Sequence, residues 1–163
     1  MSEMHLDIGC GNKCKEGYVG LDKVQLPGVS IVADIEQGLP IKSASCKVVR
    51  AHHVFEHVSN LIGLMNEIHR VLMPGGRLEI GIPLVGMMTT DKGFVFGNGA
   101  YTDPSHCRFF VIDSFNYWQP GVVGNTDVGI RGNFKIISRE VYQYPDDRFS
   151  YPSLNADIVL EKI

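Results

Sequence analysis

The sequence has little that would carry it to a nucleic acid or into a membrane. Its 15 Lys and Arg are scattered singly, and the formal net charge is -3. A nucleic-acid binder would show a basic patch or run. No stretch approaches the roughly 18 apolar residues of a membrane span. The four cysteines, Cys10, Cys14, Cys46 and Cys107, form no CxxC pair and no regular framework. With no leader pattern at the N-terminus, they read as free thiols in a reducing, cytoplasmic setting. Repeats and low-complexity tails are absent. What is there is ordinary for one globular domain: 163 residues, 44% hydrophobic and 20% charged, long enough for a sizeable core. This balance points to a small-molecule or glycan-type substrate.

Short apolar runs recur along the first half, each closing on a polar residue. Met4, Leu6 and Ile8 alternate into Gly9-Cys10-Gly11. Tyr18 to Leu21 ends on Asp22, Val29 to Ala33 on Asp34, Val48 to Ala51 on His52-His53, and Leu78 to Ile82 on Pro83. This pattern predicts a parallel sheet with its ligand at the carboxyl ends of the strands. One long helix is plain, with Leu61, Leu64, Met65, Ile68, Val71 and Leu72 at helical spacing. Ser59 or Asn60 caps its start, and Pro74-Gly75-Gly76 is expected to stop it. Residues 84 to 110 lack periodicity and read as a lid or substrate loop. A short helix over Val111 to Trp118 follows. Two late strands, Phe134 to Tyr142 and Ala156 to Ile163, are expected to pair antiparallel at one sheet edge. The predicted fold is α/β: a Rossmann-like, mostly parallel twisted sheet of about seven strands with an antiparallel edge.

The early crossovers, residues 9 to 17 and 23 to 29, are shorter than the dozen or so residues that a parallel crossover with a helix needs. The first helices are therefore expected to be reduced to turns. One sheet face would then lack cover, which the region 84 to 133 or a second subunit in a homodimer could supply.

Chemistry enters at the glycine loop. Glycines let the backbone turn sharply and approach a ligand. A dinucleotide site asks for a third glycine, and Cys14 stands there instead. Asp7, just before the turn, would repel a pyrophosphate; it can accept from an ammonium or fix the loop's amides. Asp22 can accept two hydrogen bonds from vicinal ribose hydroxyls, and Asp34 can accept from an adenine amino group. Either acid alone could equally be a turn residue. At successive strand ends after a Gly-x-Gly loop, they favour a nucleoside-type ligand.

With these residues in view, the chain resembles the class I S-adenosylmethionine-dependent methyltransferases, in particular the short predicted methyltransferases of the methyltransferase-11 type. The segments are Leu6-Asp7-Ile8-Gly9-Cys10-Gly11-Asn12, Gly20-Leu21-Asp22, Ala33-Asp34-Ile35 with Leu39-Pro40, Ala51-His52-His53-Val54-Phe55-Glu56-His57, and Arg70-Val71-Leu72-Met73-Pro74-Gly75-Gly76. The resemblance implies S-adenosylmethionine as cofactor. It places Asp7, Gly9, Cys10 and Gly11 by the methionine moiety, Asp22 by the ribose, Asp34 and Ile35 by adenine, and Ala51 and His52 at strand four, with Asn12 and Lys23 also among the cofactor-binding residues. Lys13 stands where the family commonly has a third glycine.

The sulfonium already activates the methyl group, so the protein need only align a nucleophile, exclude water and remove one proton. His53 and His106 are the candidate bases. The end of strand four lacks the Asp/Asn-Pro-Pro-aromatic pattern of amino-methylating nucleic-acid enzymes, and no Pro-Cys nucleophile is present. The expected reaction is direct methyl transfer to an O or N of a small-molecule or glycan-type acceptor. Two readings from other classes stand beside it. One is a non-catalytic binding domain that keeps the fold. The other is a zinc hydrolase through the H-x-x-E-H pattern of His53 to His57, which needs both histidines on one helix; no metal is expected on the first reading.

Overall fold

The computed structural model describes residues 3–90, 93–96, 99–122, 126–144 and 153–163. Its centre is a seven-stranded sheet in the order β3-β2-β1-β4-β5-β9-β8. The strands are β1 (Met4–Ile8), β2 (Val19–Asp22), β3 (Val29–Val32), β4 (Cys46–His52), β5 (Leu72–Pro83), β8 (Phe134–Tyr144) and β9 (Ser153–Lys162). Strands β1 to β5 pair in parallel. β9 enters antiparallel between β5 and β8, pairing both. The expected fold class is the observed one, including the antiparallel edge. The chain runs outward from β1 to β3 and then returns to β4 beside β1. That reversal opens a crevice between β1 and β4, where α/β sheets bind ligands.

The sheet is amphipathic by simple alternation. Leu6, Ile8, Leu21, Val49, Ala51, Leu78, Ile80, Ile82, Ala156, Ile158 and Leu160 lie on one face and are buried. Helix α1 (Leu61–Val71) lays Leu61, Leu64, Met65, Ile68 and Val71 into the same core. Asn60 caps it, its Oδ1 accepting from the Gly63 N–H at 2.9 Å. The helix ends at Val71, earlier than Pro74-Gly75-Gly76 suggested. Leu72 already has extended backbone and pairs with Cys46, so β5 begins there. Phe110, Phe115, Trp118 and Ile130 join this core too. The short helix foreseen at Val111 to Trp118 is a 3-10 turn, Ser114–Trp118.

No helix joins β1 to β2 or β2 to β3; both crossovers are turns, as their lengths required. The described parts of region 84 to 133 that enter the core lie with α1, so they do not cover the opposite face. That face carries polar side chains instead. Arg50 Nη1 meets Asp7 at 3.0 Å, Lys15 Nζ meets Glu79 at 3.3 Å and Arg77 Nε meets Glu161 at 3.6 Å.

The expected lid is not all loop. Met87–Thr90 (β6) and Gly93–Phe96 (β7) form an antiparallel hairpin. The segment between them (91–92) and the next two residues (97–98) lie outside the described residues. A two-residue hairpin connection usually carries Asn-Gly or Asp-Gly. No Asn-Gly or Asp-Gly pair occurs between Met87 and Phe96 in the sequence, which is why it reads as aperiodic there.

Candidate functional site

Each of β1 to β4 delivers residues to one cavity of about 380 Å³, lined by Gly9, Asp22, Lys23, Ala33, Asp34, Ile35, Glu36, His53, Val54, His57 and Val58. Gly9 follows β1 with φ of 62°, and a Cβ there would meet Val54 Cγ2 at 2.6 Å. Only glycine fits both the conformation and the space. Its N–H donates to the Leu21 carbonyl at 2.7 Å, which ties the loop to the end of β2.

Asp22 acts on this loop as well as on the cavity. Its Oδ2 accepts from the Gly11 N–H at 2.9 Å and its Oδ1 from the Val24 N–H at 3.0 Å. An ionised carboxylate has about four acceptor positions, so these two bonds leave it able to take a ligand hydroxyl. Asp34 caps the 3-10 turn Ile35–Gln37, accepting from the Glu36 N–H at 3.0 Å. Glu36, not foreseen as a cavity residue, receives the Ser59 N–H at 2.7 Å and the Ser59 hydroxyl. Those hydrogen bonds hold its carboxyl below the usual range.

Asp7 is elsewhere. It lies buried behind the loop, where Oδ2 accepts from the Lys15 N–H at 2.9 Å and both oxygens meet Arg50 Nη1, at 3.0 and 3.1 Å. It anchors the loop's far end rather than lining the cavity. Cys10 is buried beside Cys14, with both sulfurs crowding Gly20, and burial pushes its thiol up to about 11. Gly11 and exposed Asn12 continue the loop outside the cavity lining.

At strand four the neighbouring positions separate. Ala51 is fully buried in the core. His52 continues the alternation of Arg50 onto the polar face, where its ring covers Gly81. Burial, then His53 and Arg50, pull its pKa down. His53 and Val54 face the cavity. His53 holds a positive φ of 55°, unusual for a residue with a Cβ. Its N–H donates to the Gly81 carbonyl at 2.8 Å, and its Nδ1 lies 3.1 Å from Glu56 Oε1.

The zinc-hydrolase premise fails in its local geometry. Only the 3-10 turn Phe55–His57 follows, so His53 and His57 share no helix face. His57 instead stands against the segment after the hairpin. The Cys107 and Arg108 N–H groups both donate to the Glu56 carbonyl, at 2.9 and 3.1 Å, and Arg108 Nε donates to the Val58 carbonyl at 2.7 Å. This docking sets the His106 ring 4.8 Å from that of His57, edge to face. His106 is outside the cavity lining, while His57, Val54, Val58 and Ala33 enter it unforeseen. They follow the two strand ends already recognised, and that adjacency was their signal.

A methyltransferase-domain family model matches residues 13–80. An uncharacterised 37.1 kDa transposon protein of Streptomyces fradiae is 29% identical; the match covers 61% of this chain and 36% of that protein, so this chain corresponds to about a third of it. Among solved structures, an S-adenosylmethionine-dependent methyltransferase from Mesorhizobium loti superposes with a TM-score of 0.59 at 16% identity, over 99% of this chain and 93% of that one. One from Archaeoglobus fulgidus gives 0.63 at 15% identity, over 98% and 86%. A possible histamine N-methyltransferase from Thermotoga maritima also gives 0.63 at 15% identity, over 100% and 84%. At these identities the structural likeness speaks to the fold. Residues 13–80 are thus similar in sequence to the methyltransferase-domain family, and the chain shares the fold of class I S-adenosylmethionine-dependent methyltransferases.

Proposed function

We propose that this chain binds S-adenosylmethionine in the cavity at the ends of β1 to β4 and transfers its methyl group to an O or N of a small-molecule or glycan-type acceptor. The observation that carries the reading is the joint presence of Gly9, Asp22 and Asp34 in the lining of one cavity. Gly9 brings bare backbone to the cavity, and the two acids accept from a ribose and an adenine amino group. Ala33, Ile35, Val54 and Val58 give the apolar surface a base ring needs. The cofactor supplies an activated methyl group when bound.

The protein's own residues then position the partners and manage one proton. Glu56 Oε1 accepts from His53 Nδ1–H, which fixes the ring of the residue that would take the acceptor's proton. Hydrogen bonds to a charged group are worth about 1.5–3 kcal/mol. Calorimetry should therefore show Asp22→Ala weakening cofactor binding by at least about tenfold. No binding of S-adenosylmethionine or its demethylated product by the unaltered chain would refute the reading. Methyl transfer screened against mixed hydroxyl and amine acceptors then separates an enzyme from a binding domain of the same fold.

A further inference from the structure

At the rim of the cavity, three groups outside the cofactor set converge. Glu56, His57 and His106 each offer one nitrogen or oxygen, and these lie within 4.8 Å of one another. The side chain of Glu56 is only 1% exposed. Its Oε1 is taken by His53, but its Oε2 is buried and receives no hydrogen bond. A buried carboxylate oxygen in that condition is costly unless something positive meets it.

Both imidazoles are held through Nδ1. His106 Nδ1 lies 2.7 Å from the Ala100 carbonyl. His57 Nδ1 lies 3.3 Å from the Ser105 carbonyl and 3.1 Å from Ser105 Oγ, whose proton goes to Asp103 Oδ1 at 2.5 Å. A carbonyl only accepts, so each Nδ1 carries the proton and each Nε2 keeps its lone pair. Metal-binding histidines are oriented in this way, by a carbonyl or carboxylate on the nitrogen away from the ion. Asp103 Oδ2, 3.8 Å from His106 Nε2, adds negative charge nearby.

We propose that Glu56, His57 and His106 form a site for a first-row divalent cation, with Zn²⁺ the best match to two imidazoles and one carboxylate. Three protein ligands leave a coordination position open. His57 also lines the cavity, so that position is available to an oxygen or nitrogen of the acceptor. This use of the ion rests on the methyltransferase reading; the binding of the ion does not.

The test uses the full chain, stripped with a chelator and titrated with Zn²⁺ and with Co²⁺. One equivalent of Zn²⁺ is expected. Co²⁺ should give visible bands without an intense near-ultraviolet thiolate band. Glu56→Gln and His106→Ala should each weaken uptake by at least about tenfold, with circular dichroism confirming the fold. His106→Asn serves if the alanine variant unfolds. Cys107→Ser should change nothing. Absence of stoichiometric uptake, unchanged uptake in both site variants, or a thiolate band abolished by Cys107→Ser overturns the proposal. Calorimetry of the metal-free chain with S-adenosylmethionine tests the cofactor reading separately, so either result can fail without the other.

Discussion

At the scale of single residues, the acids before and after the glycine loop divide the work. Asp22 faces the cavity and Asp7 faces away, yet both hold the loop's N–H groups. Asp7 also pairs with Arg50 with its side chain 1% exposed, and removing one partner of a buried ion pair costs about 3–5 kcal/mol. Asp7→Ala should therefore lower denaturant stability by about 3 kcal/mol, discounted at the lower end because Arg50 is 23% exposed. A thermal melt unchanged from the parent would show that Asp7 is dispensable to the loop. Cys10, with its thiol pushed up to about 11, should stay protonated at pH 8. Iodoacetamide should then modify exposed Cys107 first, and Cys10 only as the pH is raised. The strand-end acids were legible from the sequence because a polar residue closing an apolar run has few other places to go. His52 was not. It follows the period of two set by Arg50 and passes to the other face, whereas His53 takes a left-handed backbone that no residue type announces.

Single elements show how this small domain fastens its connections. Arg70 on α1 reaches across to the Leu39 and Ile41 carbonyls at 2.9 and 2.8 Å and holds Glu67 on the same helix; Glu67 in turn accepts the Leu39 N–H at 2.9 Å. The strap pins the segment between β3 and β4. Both side chains are about a third exposed, so Arg70→Ala should cost only about 1–2 kcal/mol after solvent screening. The Arg70 hydrogen bond holds the Glu67 carboxyl below its ordinary value. Its contribution is therefore complete above the ordinary glutamate range and is lost as pH falls through the lowered value. Glu67→Gln should flatten the acid limb of a stability–pH curve while leaving the curve above neutrality parallel to that of the parent. α1 was readable because its apolar stripe and Asn60 cap agree. The β6–β7 hairpin was hidden, since the sequence from Met87 to Phe96 holds no Asn-Gly or Asp-Gly pair. The 3-10 turns were hidden as well, being too short to show a period.

Across the molecule, among the described residues, the sheet is covered on one side by a helix, aromatic turns and a long segment, and carries charged and polar side chains on the other. Strands β1, β4 and β5 lie inside the sheet, while β3 and β8 form its edges. Hydrogen exchange should be slowest in β1, β4 and β5 and fastest in β3, which is four residues long. Equal protection of β3 and β4 would contradict a sheet whose stability is centred this way. The strand order follows from the parallel pattern and the antiparallel return, and so was open to inference. Which face would stay bare was not, because the crossover lengths say only that a helix is missing. A sheet with one wet side also sets a rule for variation. Along Leu78–Ile82 and Ala156–Leu160, polar replacements should be rejected at Leu78, Ile80, Ile82, Ala156, Ile158 and Leu160 and accepted at Glu79, Asp157 and Val159. A saturation library would then show survival alternating along both strands, except at Gly81, where the His52 ring occupies the place of a Cβ.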